Sequence, residues 1–228
     1  MAKQIMGILA GLFFLVIFVQ PAAAGNSGVA LGLKGGTLGA GAEATVRLTD
    51  KLNFRIGSNQ YSKEERGVED DIEYDIELNL SSAAALFDWH PFGGVFRVTA
   101  GALLNGNELK FEARPAAGYF IGDVVIPYNA LDVGKLEGEV TFDDVAPYAS
   151  IGWGNAVGKN RNITFSFEIG AVFQGEPEVD LTATGGSALL YSDPAFQANL
   201  KKEEDNLQDE LDEYDIYPVA AIGLSYHF

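Results

Sequence analysis

Six charged residues fall at positions where a period-two pattern turns them away from the apolar side chains: Glu43, Arg47, Arg55, Glu77, Arg97 and Glu168. Carboxylates and guanidinium groups enclosed by a closed sheet must pair, because an unpaired buried charge costs several kcal/mol. The pairing is either a static plug or a network that switches to open a narrow passage. Other reactive chemistry is scarce. The chain has two histidines and no cysteine, so it has neither a thiol nucleophile nor a thiolate metal site. His90 lies in "WHPF", and His227 shares a face with Ser225, but no acid is placed beside either. H-E-x-x-H and G-x-S-x-G are absent. The glycines of "GLKGGTLGAG" suit a tight hairpin and a narrow interior better than a phosphate cradle. No catalytic residue, cofactor site or metal site is expected.

The elements that position these charges alternate strictly. In "IEYDIELNL" (72–80), Ile72, Tyr74, Ile76, Leu78 and Leu80 oppose Glu73, Asp75, Glu77 and Asn79. Such alternation marks a strand with one apolar and one wet face. "LGAGAEATVRL" (38–48), "FRVTAGALL" (96–104) and "ITFSFEIGAVF" (163–173) do the same. Eight segments are expected, at 28–35, 38–48, 52–62, 72–88, 94–106, 138–154, 162–174 and 215–228. Three connections on one side are short: 49–51, the "WHPFGG" corner (89–94) and 155–161. On the other side Gly36-Thr37 is tight, whereas 63–71, 107–137 and 175–214 are long. Within 138–154, Val140 and Phe142 share one parity and Ala149, Ile151 and Trp153 the other. A β-bulge at Asp143-Asp144 is expected to shift the facing by one residue.

The apolar parity suits lipid, and the glycine-rich, charged parity suits a narrow filled lumen. A bilayer demands a closed sheet with no unpaired edge. The expected fold is therefore all-β, a closed eight-stranded antiparallel up-and-down transmembrane barrel spanning 25–228. The last strand, "AAIGLSYHF", pairs with the first. Trp89, Phe92, Trp153 and Phe228 gather at the short-turn side as an aromatic girdle.

Residues 1–24 read as a cleaved export signal. Lys3 gives a positive start, an apolar run covers 5–19, and Ala22-Ala23-Ala24 precedes Gly25. That run is too short for a ~30 Å hydrocarbon core. The net charge of −17 grows more negative once Lys3 is removed. A nucleic-acid partner, which needs a basic footprint, is excluded. The acidic run "KEERGVEDD" (63–71) reads as a solvated face or as clustered oxygens for a divalent cation.

The long segment 175–214 contains one amphipathic helix, 192–213. Ser192 or Asp193 is its N-cap and Pro194 lies in its first turn. Phe196, Leu200, Leu207, Leu211 and Tyr214 share one face. That face either closes the barrel mouth as a lid or meets a partner outside the cell.

The leader, the eight alternating strands and the terminal "YHF" resemble the small outer-membrane barrels of Gram-negative bacteria. They are similar to the transmembrane domain of outer membrane protein A and to the opacity and OmpW-type barrels. "SSAAALFDWHPFGG", "VAPYASIGWGNAVGK" and "DIYPVAAIGLSYHF" also resemble an exported barrel family with no assigned biochemistry. The resemblance implies an outer-membrane location with periplasmic termini and extracellular long loops; the sequence does not identify the oligomeric state, and a monomer is favoured. It makes Ile222, Leu224, Tyr226 and Phe228 the signal read by the outer-membrane insertion machinery. It carries no catalytic residues. The leading expected role is structural or surface-interacting, in contact with outer-membrane lipid and possible extracellular partners through 175–214. A narrow, porin-like conduit for small or apolar solutes is the alternative, and a lipid-modifying barrel enzyme the second alternative.

Overall fold

The computed structural model describes residues 28–69, 72–114, 120–121, 124–125, 134–158 and 162–228. The leader expected at 1–24 lies outside them. Eight strands close into an antiparallel barrel: β1 (Val29–Gly36), β2 (Gly39–Arg47), β3 (Leu52–Glu69), β4 (Ile72–Trp89), β5 (Phe96–Asn105), β10 (Val145–Trp153), β11 (Ile163–Phe173) and β13 (Ile216–His227). Their order around the ring is β4, β3, β2, β1, β13, β11, β10, β5, and β5 returns to β4. The seam runs from Ala30↔His227 to Gly36↔Ala221. Thr37 and Leu38 form the two-residue turn between β1 and β2. Gly39, next in the chain, holds φ at 96°, and a Cβ there would strike the Gln60 backbone.

The connections expected as long loops carry more sheet. β3 and β4 outrun the barrel, so 63–69 is strand, and Val68 pairs with Glu73. The segment 107–137 contains β6 (Glu108–Arg114), the short β7 (Phe120–Ile121) and β8 (Val124–Val125), and β9 (Lys135–Thr141). The segment 175–214 contains β12 (Glu178–Thr184), α1 (Ala188–Tyr191), α2 (Pro194–Leu211) and a 3-10 turn at Asp212–Tyr214. β6 pairs with the upper half of β4, β9 with β6, and β12 with β9. The result is an open five-stranded extension rising from one side of the barrel mouth.

α2 covers the inward face of that extension. Asp193 caps it, with Oδ1 accepting from Ala195 N, and Pro194 occupies the first helical position. Phe196, Leu200, Leu207 and Leu211 are buried in one core with Ile76, Leu78, Leu109, Phe111, Leu136, Val179 and Leu181, and Tyr214 packs at its margin. Burying each Leu or Phe contributes about 1.5–3 kcal/mol, which offsets the cost of ordering the helix. The free edge of β12 is covered too. Gln208 Oε1 accepts from Val179 N at 3.1 Å and Glu204 Oε2 from Leu181 N at 3.2 Å. Side chains of the helix thus satisfy backbone groups that an edge strand otherwise leaves open.

The expected bulge at Asp143-Asp144 is absent as a change of facing. Leu104↔Val145 and Leu109↔Val140 keep one register across the interruption, and even-numbered residues point inward both before and after it. The apparent phase change has another cause: in the barrel the apolar residues of this strand face outward, and in the extension they face inward. The true shift lies one strand over. Tyr148↔Val172 and Thr141↔Glu178 differ by one residue in offset, and Gly175 between β11 and β12 has φ 76°.

Candidate functional site

Inward positions on seven barrel strands converge on a charge cluster. Arg55 of β3 is at its centre. Its Nη1 lies 2.9 Å from Glu43 Oε2 of β2, its Nε 3.0 Å from Asp88 Oδ2 of β4, and its Nη2 2.9 Å from Glu168 Oε2 of β11. Arg97 of β5 pairs with Glu168 and donates to Gly154 O at 3.0 Å. Tyr148 of β10 donates its hydroxyl to Glu168, and Thr99 donates to Asp88 Oδ1 at 2.7 Å. Lys34 of β1 reaches Glu43 at 3.9 Å. Glu43, Asp88 and Glu168 thus face Lys34, Arg55 and Arg97, so the cluster is electrically balanced. All but Lys34 have residue exposures of 8% or less. Both oxygens of Glu168 are engaged, which is what a buried carboxylate needs to remain charged.

The structure brings four of the six charges singled out above together: Glu43, Arg55, Arg97 and Glu168. Two are elsewhere. Glu77 lies on the outer face of the extension, where Asn79 Nδ2 donates to it at 2.8 Å; the inward parity of β4 belongs to Ile76, Leu78 and Leu80. Arg47 points inward only at the short-turn end and donates to the backbone oxygen of Val157. Sequence reasoning missed Asp88, Lys34 and Tyr148. Asp88 shares its parity with the apolar run at 72–80, so a single facing for all of β4 sent it outward.

Buried side chains flank the cluster on both sides. Toward the mouth, Leu38, Leu86, Leu103, Val172 and Val219 form an apolar layer with Ala84, Ala146 and Tyr148. The charged side chains expected to line the lumen thus occupy its lower part, with apolar side chains above them. The void beside Lys34, Tyr148 and Glu168 measures about 10 Å³, room for no more than one water. Toward the short turns, His90 Nδ1 donates to Phe96 O at 3.1 Å, while Nε2 accepts from Asn53 Nδ2 at 3.1 Å. Ser225 and His227 are buried nearby in the chain. Neither histidine bonds to a serine or a carboxylate among the described residues, so no nucleophile–base pair is assembled.

The outer wall of the barrel is apolar. Leu31, Ile56, Phe87, Leu104, Ile151, Phe165 and Ile169 are all exposed, Phe165 by 78%. Near the short turns, Phe92, Phe96, Trp153 and Phe167 form a chain of aromatic contacts with centroids 5.7–6.2 Å apart. Ile222 is exposed on the same outer wall, and Tyr226 packs edge-on against Phe228. β10 and β11 have 9 and 11 residues, the length a tilted strand needs to cross a hydrocarbon core.

A closed eight-stranded antiparallel barrel defines the class. The crystal structures of CarO2 and CarO from Acinetobacter baumannii are similar to it. The CarO2 structure aligns with a TM-score of 0.57 at 18% identity, covering 88% of this chain and 98% of that one. The CarO structure aligns with a TM-score of 0.56 at 20% identity, covering 87% and 97%. At these identities the likeness is one of fold. No family model and no curated protein matches the chain.

Proposed function

We propose that the chain is an outer-membrane barrel whose role is structural or surface-interacting rather than catalytic or pore-forming. One observation carries this reading: an apolar outer wall surrounds a lumen closed by a balanced ion-pair cluster and an apolar layer. Water disfavours so much contiguous exposed carbon, whereas lipid accepts it. The short-turn end with both termini faces the periplasm, and the extension stands outside the cell. Removal of 1–24 and recognition of Ile222, Leu224, Tyr226 and Phe228 by the insertion machinery belong to the same reading. The apolar face of α2 is buried, so any surface partner meets the charged outer faces of the extension and helix. The competing reading, a narrow passive conduit, requires the cluster and the apolar layer to part together.

Planar-bilayer conductance of the purified, refolded protein tests the proposal. The wild-type protein is expected to give no unitary steps. Reproducible steps would sink the closed-barrel reading, and Arg97→Ala and Glu168→Ala would then locate the gate.

A further inference from the structure

The turn that follows β10 folds under the short-turn end of the barrel. Val157 lies in it and is 1% exposed. Connections normally run over the surface, so something holds this one in. Asn155 shapes it. Its backbone oxygen accepts from Gly158 N at 3.0 Å and Thr164 Oγ1 at 3.3 Å, and its Oδ1 accepts from Val157 N at 3.3 Å. Asn53 Nδ2, at the start of β3, donates to the same Oδ1 at 3.2 Å and to His90 Nε2 at 3.1 Å. His90 Nδ1 meets Phe96 O at 3.1 Å. One chain of bonds therefore runs from Phe96 O through His90, Asn53 and Asn155 to Val157 N. His90 and Asn53 are buried.

Backbone groups at both ends fix the polarity of this chain. Phe96 O can only accept, so His90 Nδ1 carries the ring proton and Nε2 is bare. Val157 N can only donate, so Asn155 presents its oxygen. A second proton on His90 sets an N–H donor against the Asn53 amide nitrogen. Turning that amide over brings its oxygen against Asn155 Oδ1, and turning Asn155 as well sets two donors together at Val157 N. One hydrogen bond is lost wherever the defect settles. The charged groups around the chain do not take up the new charge. Asp88 of β4 and Arg97 of β5 act on His90 through space, but Arg55 Nε and Thr99 Oγ1 already hold Asp88 at 3.0 and 2.7 Å. In the turn before β3, Asp50 is exposed to solvent and Lys51 donates to Pro91 O at 3.2 Å. Arg47 of β2 donates to Val157 O, and 155–158 carries no charge.

We propose that His90 is the proton-sensitive catch of this turn: neutral, it holds Asn53 and Asn155 in line and keeps 155–158 against the barrel; protonated, it releases them. Burial lowers the His90 pKa below the usual 6.5, and Asp88 offsets part of that. The catch is thus undisturbed above about pH 6.5 and loses stability as pH falls below it. In the orientation proposed above it faces the periplasm. It stands on the geometry of this end alone, so its failure leaves the closed-barrel reading untouched.

The test uses the protein refolded in detergent micelles. Nitrogen NMR of the imidazole should place the neutral ring's proton on Nδ1. Amide-exchange protection of Val157 and Gly158, corrected for the intrinsic pH dependence, should fall about tenfold between about pH 7.5 and 5.5, the effect of one lost hydrogen bond. Amides at the β1–β13 seam should hold constant. His90→Gln keeps an acceptor for Asn53 and cannot titrate, so the fall should disappear. Asn53→Ala keeps both histidines and cuts the chain, so protection of the turn should be low and independent of pH. That variant decides alone if His90→Gln fails to fold. Three results would overturn the proposal: a neutral ring protonated on Nε2, wild-type protection that stays flat across this range, or a fall that survives in His90→Gln or Asn53→Ala, which would assign it to His227 or to the carboxylates.

Discussion

In the barrel, β4 and β5 carry Phe87 and Leu104 outward and Asp88 and Arg97 inward; in the extension, β4 and β6 carry Glu77 and Lys110 outward and Ile76 and Phe111 inward. Along β4, and from β5 into β6, the pairing and the parity are continuous between the two regions. Only the chemistry of the faces changes places, near Ser82 and Asn105. Alternation therefore shows that a strand has two different faces, but not which one is inside. The surroundings decide that. The barrel wall turns its apolar side chains outward and its paired charges into the lumen, whereas the extension turns its charges outward and its apolar side chains toward α2.

The contrast can be broken at several points. Arg55→Ala should have the largest effect, because it leaves Glu43, Asp88 and Glu168 facing only Lys34 and Arg97. Loss of one partner of a buried pair costs about 3–5 kcal/mol, read as the change in urea midpoint of protein folded into lipid vesicles. Ile151→Arg, on the outer wall of the barrel, should cost about 2–4 kcal/mol in the same assay. The matched change in the extension, Glu137→Arg, should stay within about 0.5 kcal/mol. Equal effects at the two positions would show that both outer faces meet the same medium. Leu207→Ala should cost about 2–3 kcal/mol and act locally. Amide exchange should rise in β12 and α2 and stay unchanged at the seam between β1 and β13.

The smallest effect concerns the ion pairs on the outside of the extension. A hydrogen bond from Lys135 holds the Glu112 carboxyl below its usual value. A depressed carboxyl stabilises the fold above the ordinary carboxylate range and loses that contribution as pH falls through its folded value. Lys135→Met should raise the Glu112 value toward normal, read by a carbon-detected NMR titration. An unchanged titration would remove this pair from the account.

The barrel strands were legible because alternation, strict in "LGAGAEATVRL" and "ITFSFEIGAVF" and looser elsewhere, recurs between turn-like segments. Glu43, Arg55, Arg97 and Glu168 were legible for the same reason, since each interrupts the parity opposite to an apolar run. What was not legible follows from the exchange of faces. The run 72–80 is apolar on its inner side and 84–88 carries Asp88 on that side, so one rule applied to both misplaced Glu77 and overlooked Asp88. "ELKFEAR" (108–114) and "EVDLTAT" (178–184) also alternate. Their charged faces are solvated and their apolar faces depend on a helix supplied from another part of the chain, so they read as loops. The α2 stripe and its Asp193 cap were visible locally, but the hydrogen bonds that Gln208 and Glu204 accept from the β12 edge were not, because side-chain amides and carboxylates on a helix surface carry no address.

The seam has a consequence for how the ring comes together. Gly36 meets Gly39 across a two-residue turn, but Ala30 meets His227 across about 200 residues of chain. Loop-closure entropy rises with the logarithm of that separation, so bringing the seam partners together directly costs roughly 4 kcal/mol more than closing the hairpin. The local hairpins shorten this path by assembling the wall between them. Contacts so remote in sequence are the kind that slow folding, which makes joining β1 to β13 the step that the rest of the sheet must prepare.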